Sequence, residues 1–121
     1  MSDQKVKIQD LKDQLAHFCE ERDWGQFHGP KDLAIGVVTE GAELLEPFRF
    51  LSEEQCREVL SDVEGRQAIG EELADVLFFI LRFCQRFDFD LSEVFQNKMA
   101  KNAKRYPVDS FRGKNHKATT P

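Results

Sequence analysis

Apolar side chains recur every three or four positions along several stretches of the chain, which is the spacing of one face of an α-helix. Residues 4–21 show one such stripe, and residues 66–87 show the longest one. The longer stretch is apolar around most of its circumference, so we expect it to lie at the centre of the fold or in a subunit interface. Further helices are predicted at residues 32–50, 52–64 and 91–105.

Polar and helix-breaking residues separate these stretches. Residues 23–31 contain two glycines and one proline and predict a loop. Ser52 is placed to cap the third predicted helix. Either Asp90 or Ser92 caps the last helix, and Pro107 ends it. No alternating run is long enough to predict a strand, so we predict an all-α fold: an antiparallel bundle of four to five helices, completed by oligomerisation.

The length of the chain, 121 residues, is enough to bury one core. We therefore predict a single domain over residues 1–110, followed by a flexible tail over residues 111–121. No stretch approaches the roughly 20 apolar residues of a membrane span, and the charged N-terminus lacks the apolar run of a signal peptide. We expect a cytoplasmic protein with no membrane partner.

Aromatic and sulfur-containing residues indicate what fills the core. The chain has 11 phenylalanines against one tyrosine and one tryptophan, which predicts a core rich in phenylalanine. Cys19, Cys56 and Cys84 are an odd number at wide spacings without a CxxC pair. This pattern indicates neither a zinc site nor a disulfide framework, and we expect buried, reduced thiols.

Charge is distributed unevenly along the chain, whose net charge is -5. Residues 98–117 carry seven lysines or arginines and one aspartate, whereas the rest of the chain carries ten basic and 21 acidic side chains. A basic segment is able to bind nucleic acid, but the acidic remainder opposes binding to a duplex. A small anion such as a triphosphate, bridged to carboxylates by a metal ion, fits both halves better.

One carboxylate lies within an apolar helical stripe. At 100° per residue, Glu40 falls in the middle of the stripe formed by Leu33, Val37 and Leu44, which is a costly place for a charge. Glu43 follows three residues later and is its neighbour one turn along the same face. These two residues form a Glu-x-x-Glu pair that points to the edge or interior of the bundle.

A second acidic pair lies on the long central helix. Glu72 and Asp75 are three residues apart, and Phe79 continues their line, so this pair also borders an apolar face. Carboxylates brought together raise one another's pKa unless a cation neutralises them, and oxygen ligands without His or Cys suit Mg²⁺, with Mn²⁺ as an alternative. The rival interpretations are a solvated acidic face and a di-iron bundle. The second is disfavoured because neither Glu40 nor Glu72 has a histidine three residues later.

Basic residues that would hold phosphates occur on the last predicted helix. Lys98, Asn102 and Arg105 are spaced by four and three residues, so they share one face. Lys101 and Lys104 lie on another flank, where solvated charge is the simpler interpretation.

Four segments resemble the MazG-like family of all-α NTP pyrophosphohydrolases, and within it the dCTP pyrophosphatase-like branch. Together they run from about residue 15 to residue 107 in the order typical of the family. A Glu-x-x-Glu motif alone is a weak signal, but the ordered set is specific. The segments are ERDWGQFHGPKDL at 21–33, EGAELLEPF at 40–48, EELADVLFFIL at 71–81 and KMAKNAKRYP at 98–107.

This resemblance implies an enzyme that cuts a nucleoside triphosphate, such as dCTP or a related dNTP, to its monophosphate and pyrophosphate, for cleansing or balance of the nucleotide pool. It implies Mg²⁺ on four acids, phosphate or sugar contacts from the end of the last helix, and a loop that meets the base. It also implies a homodimer or homotetramer with shared active sites. The implied metal-binding and catalytic residues are Glu40, Glu43, Glu72 and Asp75, and the implied substrate-binding residues are Trp24, Phe27, His28, Lys98, Asn102, Arg105 and Tyr106.

Two residues depart from the pattern of the dCTP pyrophosphatase-like branch. Leu15 stands where a base-contacting histidine is expected, and Phe50 replaces a tryptophan. Both departures concern the choice of base and leave the metal signature intact. Two other functions stay open from the sequence: a non-catalytic helical oligomerisation module, and a small nucleic-acid-binding protein that uses residues 98–117.

Overall fold

The computed structural model describes residues 1–119, and every regular element within them is helical. Six α-helices and one short 3₁₀ helix account for the described elements, which confirms the predicted all-α fold. The 3₁₀ helix spans Trp24–Phe27. The α-helices are α1 (Ile8–Glu21), α2 (Pro30–Leu45), α3 (Glu53–Ser61), α4 (Val63–Arg86), α5 (Leu91–Arg105) and α6 (Val108–Phe111).

The first helix begins four residues later than the sequence predicts. The chain first makes a turn in which the Val6 N–H donates to the Ser2 carbonyl at 3.0 Å. The Asp10 carboxylate then accepts a hydrogen bond from the Lys7 N–H at 2.9 Å. Because this bond satisfies a backbone donor that the helix leaves free, α1 starts directly after Lys7.

Proline sets both ends of α2. Pro30 occupies the first helical position, where its missing N–H costs nothing, so α2 begins two residues before the predicted start. Its end at Leu45 comes five residues before the predicted end, because Pro47 cannot continue the pattern of backbone hydrogen bonds. The chain continues as turns, with the Phe48 N–H donating to the Leu45 carbonyl at 2.9 Å.

A single extended residue separates α3 from α4. The Ser52 hydroxyl caps α3 as expected, accepting from the Gln55 N–H at 3.2 Å. Asp62 ends α3 and caps α4, and its carboxylate accepts from the Gly65 N–H at 2.9 Å. A Cβ atom on Gly65 would lie 2.4 Å from the Val59 carbonyl oxygen. This tight turn therefore requires a glycine, and it starts α4 three residues before the predicted position.

Residues 1–88 and the described residues from 89 onward form two compact units, each of which has its own helices. The first unit contains α1 to α4, and the second contains α5 and α6. In the second unit, Asp90 rather than Ser92 caps α5, accepting from the Glu93 N–H at 3.0 Å. The short helix α6 was not predicted. The single domain over 1–110 and the flexible tail over 111–121 stay predictions, and the last two residues of that tail lie outside the described range.

Helix α4 lies at the centre of the first unit, because it packs against α1, α2 and α3. Gly36 on α2 meets Phe79 on α4, whereas Glu40 and Glu43, further along α2, meet Glu72, which is earlier on α4. The order of these contacts shows that α2 and α4 run antiparallel, as predicted.

The buried core of the first unit differs from the expectation of a phenylalanine-rich interior. Its buried apolar residues are leucine, isoleucine and cysteine, and the phenylalanines lie around them, half-buried or exposed. Trp24, Phe18, Phe78 and Phe79 form a ladder of edge-to-face contacts with centroid distances of 5.5, 6.2 and 5.4 Å. The buried apolar residues are Leu15, Cys19, Leu33, Ile69, Leu81 and Cys84.

The three cysteines are free thiols. Cys19 and Cys84 are buried, whereas Cys56 is only half-buried. Burial raises the pKa of the Cys19 thiol, so it is a protonated, apolar component of the core. None of the helices within residues 1–119 is long and apolar enough to span a membrane.

Candidate active site

Three carboxylates from two helices meet on one side of the first unit. Glu40 and Glu43 come from α2 and Glu72 comes from α4, and each contributes an oxygen atom within 4.8 Å of the others. The two residues from α2 share a face because they are three positions apart. Glu40 and Glu72 are half-buried, whereas Glu43 is exposed. The structure thus brings together three of the four acids that the sequence singled out.

Asp75, the fourth predicted acid, lies one turn after Glu72 on α4 and is exposed. It is not part of the group within 4.8 Å. Its negative charge nevertheless raises the pKa of both Glu40 and Glu72, so it contributes to the same electrostatic site. We refer to Glu40, Glu43, Glu72 and Asp75 as the carboxylate site.

A close contact between α2 and α4 determines the spacing of this site. Gly36 is one turn before Glu40, and Phe79 is one turn after Asp75. A Cβ atom on Gly36 would lie 2.4 Å from a ring carbon of Phe79. The ring therefore occupies the space that any larger residue at position 36 would need, and the two helix backbones approach closely beside the carboxylates.

The carboxylates repel one another in the absence of a cation. The pKa of Glu40 rises to about 7, first because its side chain shares a hydrogen bond with Glu43, and then because of burial and the neighbouring charges. Burial is the main cause of the raised pKa of Glu72, and the charges of Glu43 and Asp75 add to it. Both shifts favour the protonated, neutral form of the carboxyl group, and the neighbouring negative charges contribute to each of them.

Two oxygen atoms in the site indicate whether a metal ion fits there. The Oε2 atoms of Glu40 and Glu72 are buried and have no hydrogen-bond partner. A buried carboxylate oxygen without a partner is costly, and a cation bound between the two helices removes that cost. The donors are all carboxylates, which suits the hard ions Mg²⁺ and Mn²⁺. The residues therefore fit a divalent cation of this class.

The segment before α2 presents three aromatic rings. The sequence predicts a loop at 23–31, and the structure instead forms a 3₁₀ turn there, introduced by Asp23 in a left-handed conformation with φ of 52°. Trp24 is 37% exposed, so part of its surface is accessible to a ligand. Its ring meets Phe18 edge-on at 5.5 Å and His28 at 6.2 Å, while Phe27 is largely exposed. We call Trp24–His28 the aromatic turn.

Two arginines of α4 hold the aromatic turn. The Arg82 Nε–H donates to Nδ1 of His28 at 2.9 Å, and Arg86 donates to the Gly25 carbonyl at 3.0 Å. Arg82 is only 2% exposed, so its charge is taken out of water to make this contact. The pKa of His28 is lowered, mainly by burial and then by the charges of Arg82 and Arg86.

Neither arginine was among the residues predicted to form the site. Arg82 is the one charged residue between Val76 and Cys84 in an otherwise apolar run. A charge at such a place needs a partner, and that signal was present in the sequence. The sequence does not identify the partner, because His28 is 54 positions away along the chain.

The predicted phosphate-binding residues lie at the end of α5, in the second unit. Lys98, Asn102 and Arg105 all belong to α5, so the spacing that puts them on one face holds. Lys98 is exposed, whereas Asn102 and Arg105 are half-buried. The Nε atom of Arg105 is buried without a partner. Tyr106 follows directly as the residue that ends α5.

The chain after α6 folds back onto the end of α5. The Ala118 N–H donates to the Tyr106 hydroxyl at 3.2 Å, and the Ala118 carbonyl accepts from Arg105 at 3.5 Å. Phe111 packs against Tyr106 with a centroid distance of 4.9 Å and against His116 at 5.0 Å. Part of the hydrogen-bonding capacity of Arg105 and Tyr106 is thus used within the second unit.

The two residues that depart from the family pattern occupy different environments. Leu15 is buried and lines an apolar groove of about 350 Å³ between α1 and α4, together with Phe18, Leu77 and Phe78. Phe50 is exposed, and the guanidinium group of Arg49 lies over its ring at 4.9 Å. Leu15 therefore contributes apolar surface to the groove rather than a hydrogen-bonding group.

Comparison with known proteins identifies the class to which this fold and this site belong. The model of the MazG-like family matches residues 35–119, which include the carboxylate site and the end of α5. The chain belongs to the MazG-like family, and the resemblance found in the sequence is confirmed.

Several relatives have a more specific name. dCTP pyrophosphatase 1 of Mus musculus is 37% identical over 106 residues, which cover 88% of this chain and 62% of the relative. The Homo sapiens protein of that name is 34% identical over 112 residues, covering 93% and 66%, respectively. The chain thus spans less than two thirds of the length of these relatives. A pyrophosphatase from Archaeoglobus fulgidus has a similar structure, with a TM-score of 0.78, 35% identity, and coverage of 88% of this chain and 98% of that one.

Proposed function

We propose that the protein is a Mg²⁺-dependent nucleoside triphosphate pyrophosphohydrolase that converts a dNTP, with dCTP as the first candidate, to its monophosphate and pyrophosphate. The observation that carries this proposal is the pair of buried, unpartnered Oε2 atoms of Glu40 and Glu72 within a cluster of three carboxylates. The names of the relatives from Mus musculus and Homo sapiens and of the Archaeoglobus fulgidus structure support the reaction class.

The four acids have two tasks in this proposal. Glu40, Glu43, Glu72 and Asp75 hold the metal ion, and one of them takes a proton from the attacking water. Glu43 and Glu72 are the two candidates for the base. A divalent ion at this site supplies neutralisation of the triphosphate charge and a more acidic water. Water attacks the α-phosphorus, the bond to the bridging α–β oxygen breaks, and pyrophosphate leaves.

Other residues of the chain orient the nucleotide. Trp24 and Phe27 offer ring faces on which a base stacks, and His28 offers a hydrogen bond to its edge. Lys98, Asn102, Arg105 and Tyr106 contact the phosphates or the sugar. The catalytic contribution of these groups is positioning and charge stabilisation rather than covalent chemistry.

Assembly and location are further parts of the proposal. We expect a homodimer or homotetramer with shared sites, because large apolar side chains on α2 and α4 are exposed in the single chain. Ile35, Val38, Leu73 and Leu77 are examples. We further propose a cytoplasmic location and a role in cleansing or balancing the nucleotide pool.

The test is an assay of monophosphate and pyrophosphate release from the four dNTPs and four NTPs, with Mg²⁺ and with EDTA. We expect metal-dependent formation of both products, with dCTP among the best substrates. Release of orthophosphate instead of pyrophosphate would contradict cleavage between the α- and β-phosphates.

The second candidate function is a non-catalytic oligomerisation module. The apolar groove between α1 and α4 favours it, because a partner helix would fill such a surface. This second function gives no role to the unpartnered carboxylate oxygens. A chain of this kind would show no stabilisation by Mg²⁺ and no turnover of any nucleotide in the same assay.

A further inference from the structure

Arg82 makes two side-chain hydrogen bonds from a buried position. Its Nε–H donates to Nδ1 of His28 at 2.9 Å, and its Nη1 donates to Oε1 of Gln85 at 2.7 Å. Only 2% of Arg82 is exposed. The contact with His28 joins the C-terminal part of α4 to the last residue of the aromatic turn, so it connects residues that are 54 positions apart.

The chemistry of these two side chains fixes where the proton of the imidazole ring lies. An arginine N–H group only donates, so the Nδ1 atom that it meets must carry a lone pair. A neutral ring with an unprotonated Nδ1 has its proton on Nε2. Protonation of both nitrogens would remove the bond and place a second cation beside Arg82. Burial, followed by the neighbouring charges of Arg82 and Arg86, lowers the pKa of His28, in agreement with a neutral ring.

We propose that Arg82 is a positioning residue that holds His28 in its neutral Nε2–H tautomer, so that the aromatic turn offers a hydrogen-bond donor to an acceptor atom of the nucleobase. This inference rests on the proposed function, because it assigns the nucleobase to the aromatic turn. The Nε2–H group pairs with a ring nitrogen or a carbonyl oxygen of a base.

The surroundings of His28 favour a base over a phosphate as its partner. The ring lies 6.2 Å from Trp24, and the preceding residue, Phe27, is 60% exposed, so aromatic side chains lie near His28. A stacked base would bring its polar edge to the same place. A phosphate, by contrast, is best held by a charged donor, and a neutral imidazole is a poor substitute.

Stability alone does not account for a buried arginine at this position. Replacing a buried charge by an apolar side chain of similar volume is often neutral or stabilising. Anchoring of the turn does not require Arg82 either, because Arg86 holds the Gly25 carbonyl independently at 3.0 Å. The bond to His28 adds something that an apolar residue and the second arginine do not provide, namely a defined tautomer.

The first measurement is ¹⁵N NMR of the full-length chain without nucleotide. We expect a neutral His28 with its proton on Nε2 and a scalar coupling across the hydrogen bond between Arg82 Nε and His28 Nδ1. In Arg82→Met the coupling disappears and part of the ring population carries its proton on Nδ1. Arg82→Lys keeps an N–H donor at this position, and we expect it to retain more of the Nε2–H tautomer than Arg82→Met does. A wild-type ring protonated on Nδ1 overturns the proposal.

The second measurement is steady-state kinetics with dCTP, or with the best substrate found in the nucleotide panel. In Arg82→Met we expect KM to rise about 3- to 10-fold, the effect of one lost hydrogen bond, and kcat to change by less than about twofold. Inhibition by inorganic pyrophosphate, which has no base, stays unchanged. The matched control is Arg57→Met on exposed α3, which leaves KM unchanged.

Each result decides a different part of the proposal. An unchanged KM in Arg82→Met overturns the positioning role, and a parallel loss of pyrophosphate inhibition assigns His28 to the phosphates instead. If the wild-type chain hydrolyses no nucleotide, the proposed function fails and the nucleobase contact fails with it. The NMR measurement needs no turnover, so it still shows whether the tautomer assignment is correct when the proposed function fails. Thermal unfolding of Arg82→Met shows that the fold survives the substitution.

Discussion

The two halves of α4 differ in the charge they carry and in whether the chain supplies hydrogen-bond partners for it. Its first half carries Glu72, and Asp75 lies at its midpoint; both contribute to a site where buried acceptors lack donors. Its second half carries Arg82 and Arg86, whose donors have acceptors in the aromatic turn. The chain leaves buried acceptors of the first region unpaired, whereas it supplies acceptors for the arginines of the second. A group left unpaired by the fold therefore indicates where a ligand belongs, and a fully paired group indicates rigidity.

The largest expected effect comes from substitutions in the carboxylate site. Glu40→Gln and Glu72→Gln should each lower metal-dependent turnover by about 100-fold or more, because a neutral amide neither balances the cation nor takes a proton. The same substitutions should raise the melting temperature in EDTA, since they remove repulsion between carboxylates. The measurements are pyrophosphate release and thermal unfolding. Glu58→Gln on the exposed surface of α3 is the control. Full turnover in both site variants would remove these acids from the reaction.

The second prediction tests the unpaired acceptors directly. Mg²⁺ at 100 times its dissociation constant should stabilise the wild-type chain by about 2.7 kcal/mol, through binding to the folded state alone. Sodium chloride at equal ionic strength should not reproduce the shift. Differential scanning calorimetry at increasing Mg²⁺ concentration measures it. Glu40→Gln should lose most of the response, and an equal response in that variant would place the binding ion elsewhere.

The third prediction concerns the spacing that holds the carboxylates together. Gly36→Ala should destabilise the fold by about 2 kcal/mol, because its Cβ would meet the Phe79 ring at 2.4 Å. Gly41 lies on the same helix with nothing within 4 Å of an added Cβ, so Gly41→Ala should stabilise by up to about 1 kcal/mol. Urea unfolding of both variants provides the comparison. Equal changes in the free energy of unfolding would show that a side chain at position 36 does not disturb the packing of α2 against α4.

The smallest expected effect belongs to the second region. The folded chain lowers the pKa of His28 below its ordinary value near 6.5, so the unfolded chain binds more protons between the two values. The contribution to stability is present above pH 6.5 and is lost as the pH falls through the lowered pKa. Between pH 7.5 and pH 5.5, urea unfolding should show a larger decrease in the free energy of unfolding for the wild type than for His28→Gln. An identical pH dependence would contradict the lowered pKa.

Sequence patterns predicted the elements of the fold better than their ends. The apolar stripes located α1, α2 and α4, and capping and helix-ending residues located α3 and α5, but Pro30 and Pro47 moved both ends of α2, and the turn at Gly65 moved the start of α4. These boundaries depend on local hydrogen bonds and steric fit, which periodicity does not describe. The phenylalanine-rich core was wrong because composition does not state where side chains lie. The rings surround the leucines at helix edges, where flat side chains make edge-to-face contacts.

The carboxylate site was predicted in outline for a physical reason. A charge in an apolar stripe is conspicuous in one helix, and Glu40 is such a charge. The conjunction with Glu72 follows from the pairing of two helices, which the contact of Gly36 with Phe79 determines. Arg82 gives a similar signal, as the one charge in an apolar run, but nothing in the sequence identifies His28 as its partner, because the bond joins a helix to an irregular turn 54 positions away. Its geometry depends on tertiary structure alone.

The aromatic turn also has a practical consequence for measurement. The chain contains a single tryptophan, and it is Trp24, 37% exposed beside His28. Its intrinsic fluorescence therefore comes from one known location, without background from a second indole. Quenching or a spectral shift on titration with nucleotide reports on that location even in variants that no longer turn over. The chain thus carries its own optical probe for binding, with no label to attach.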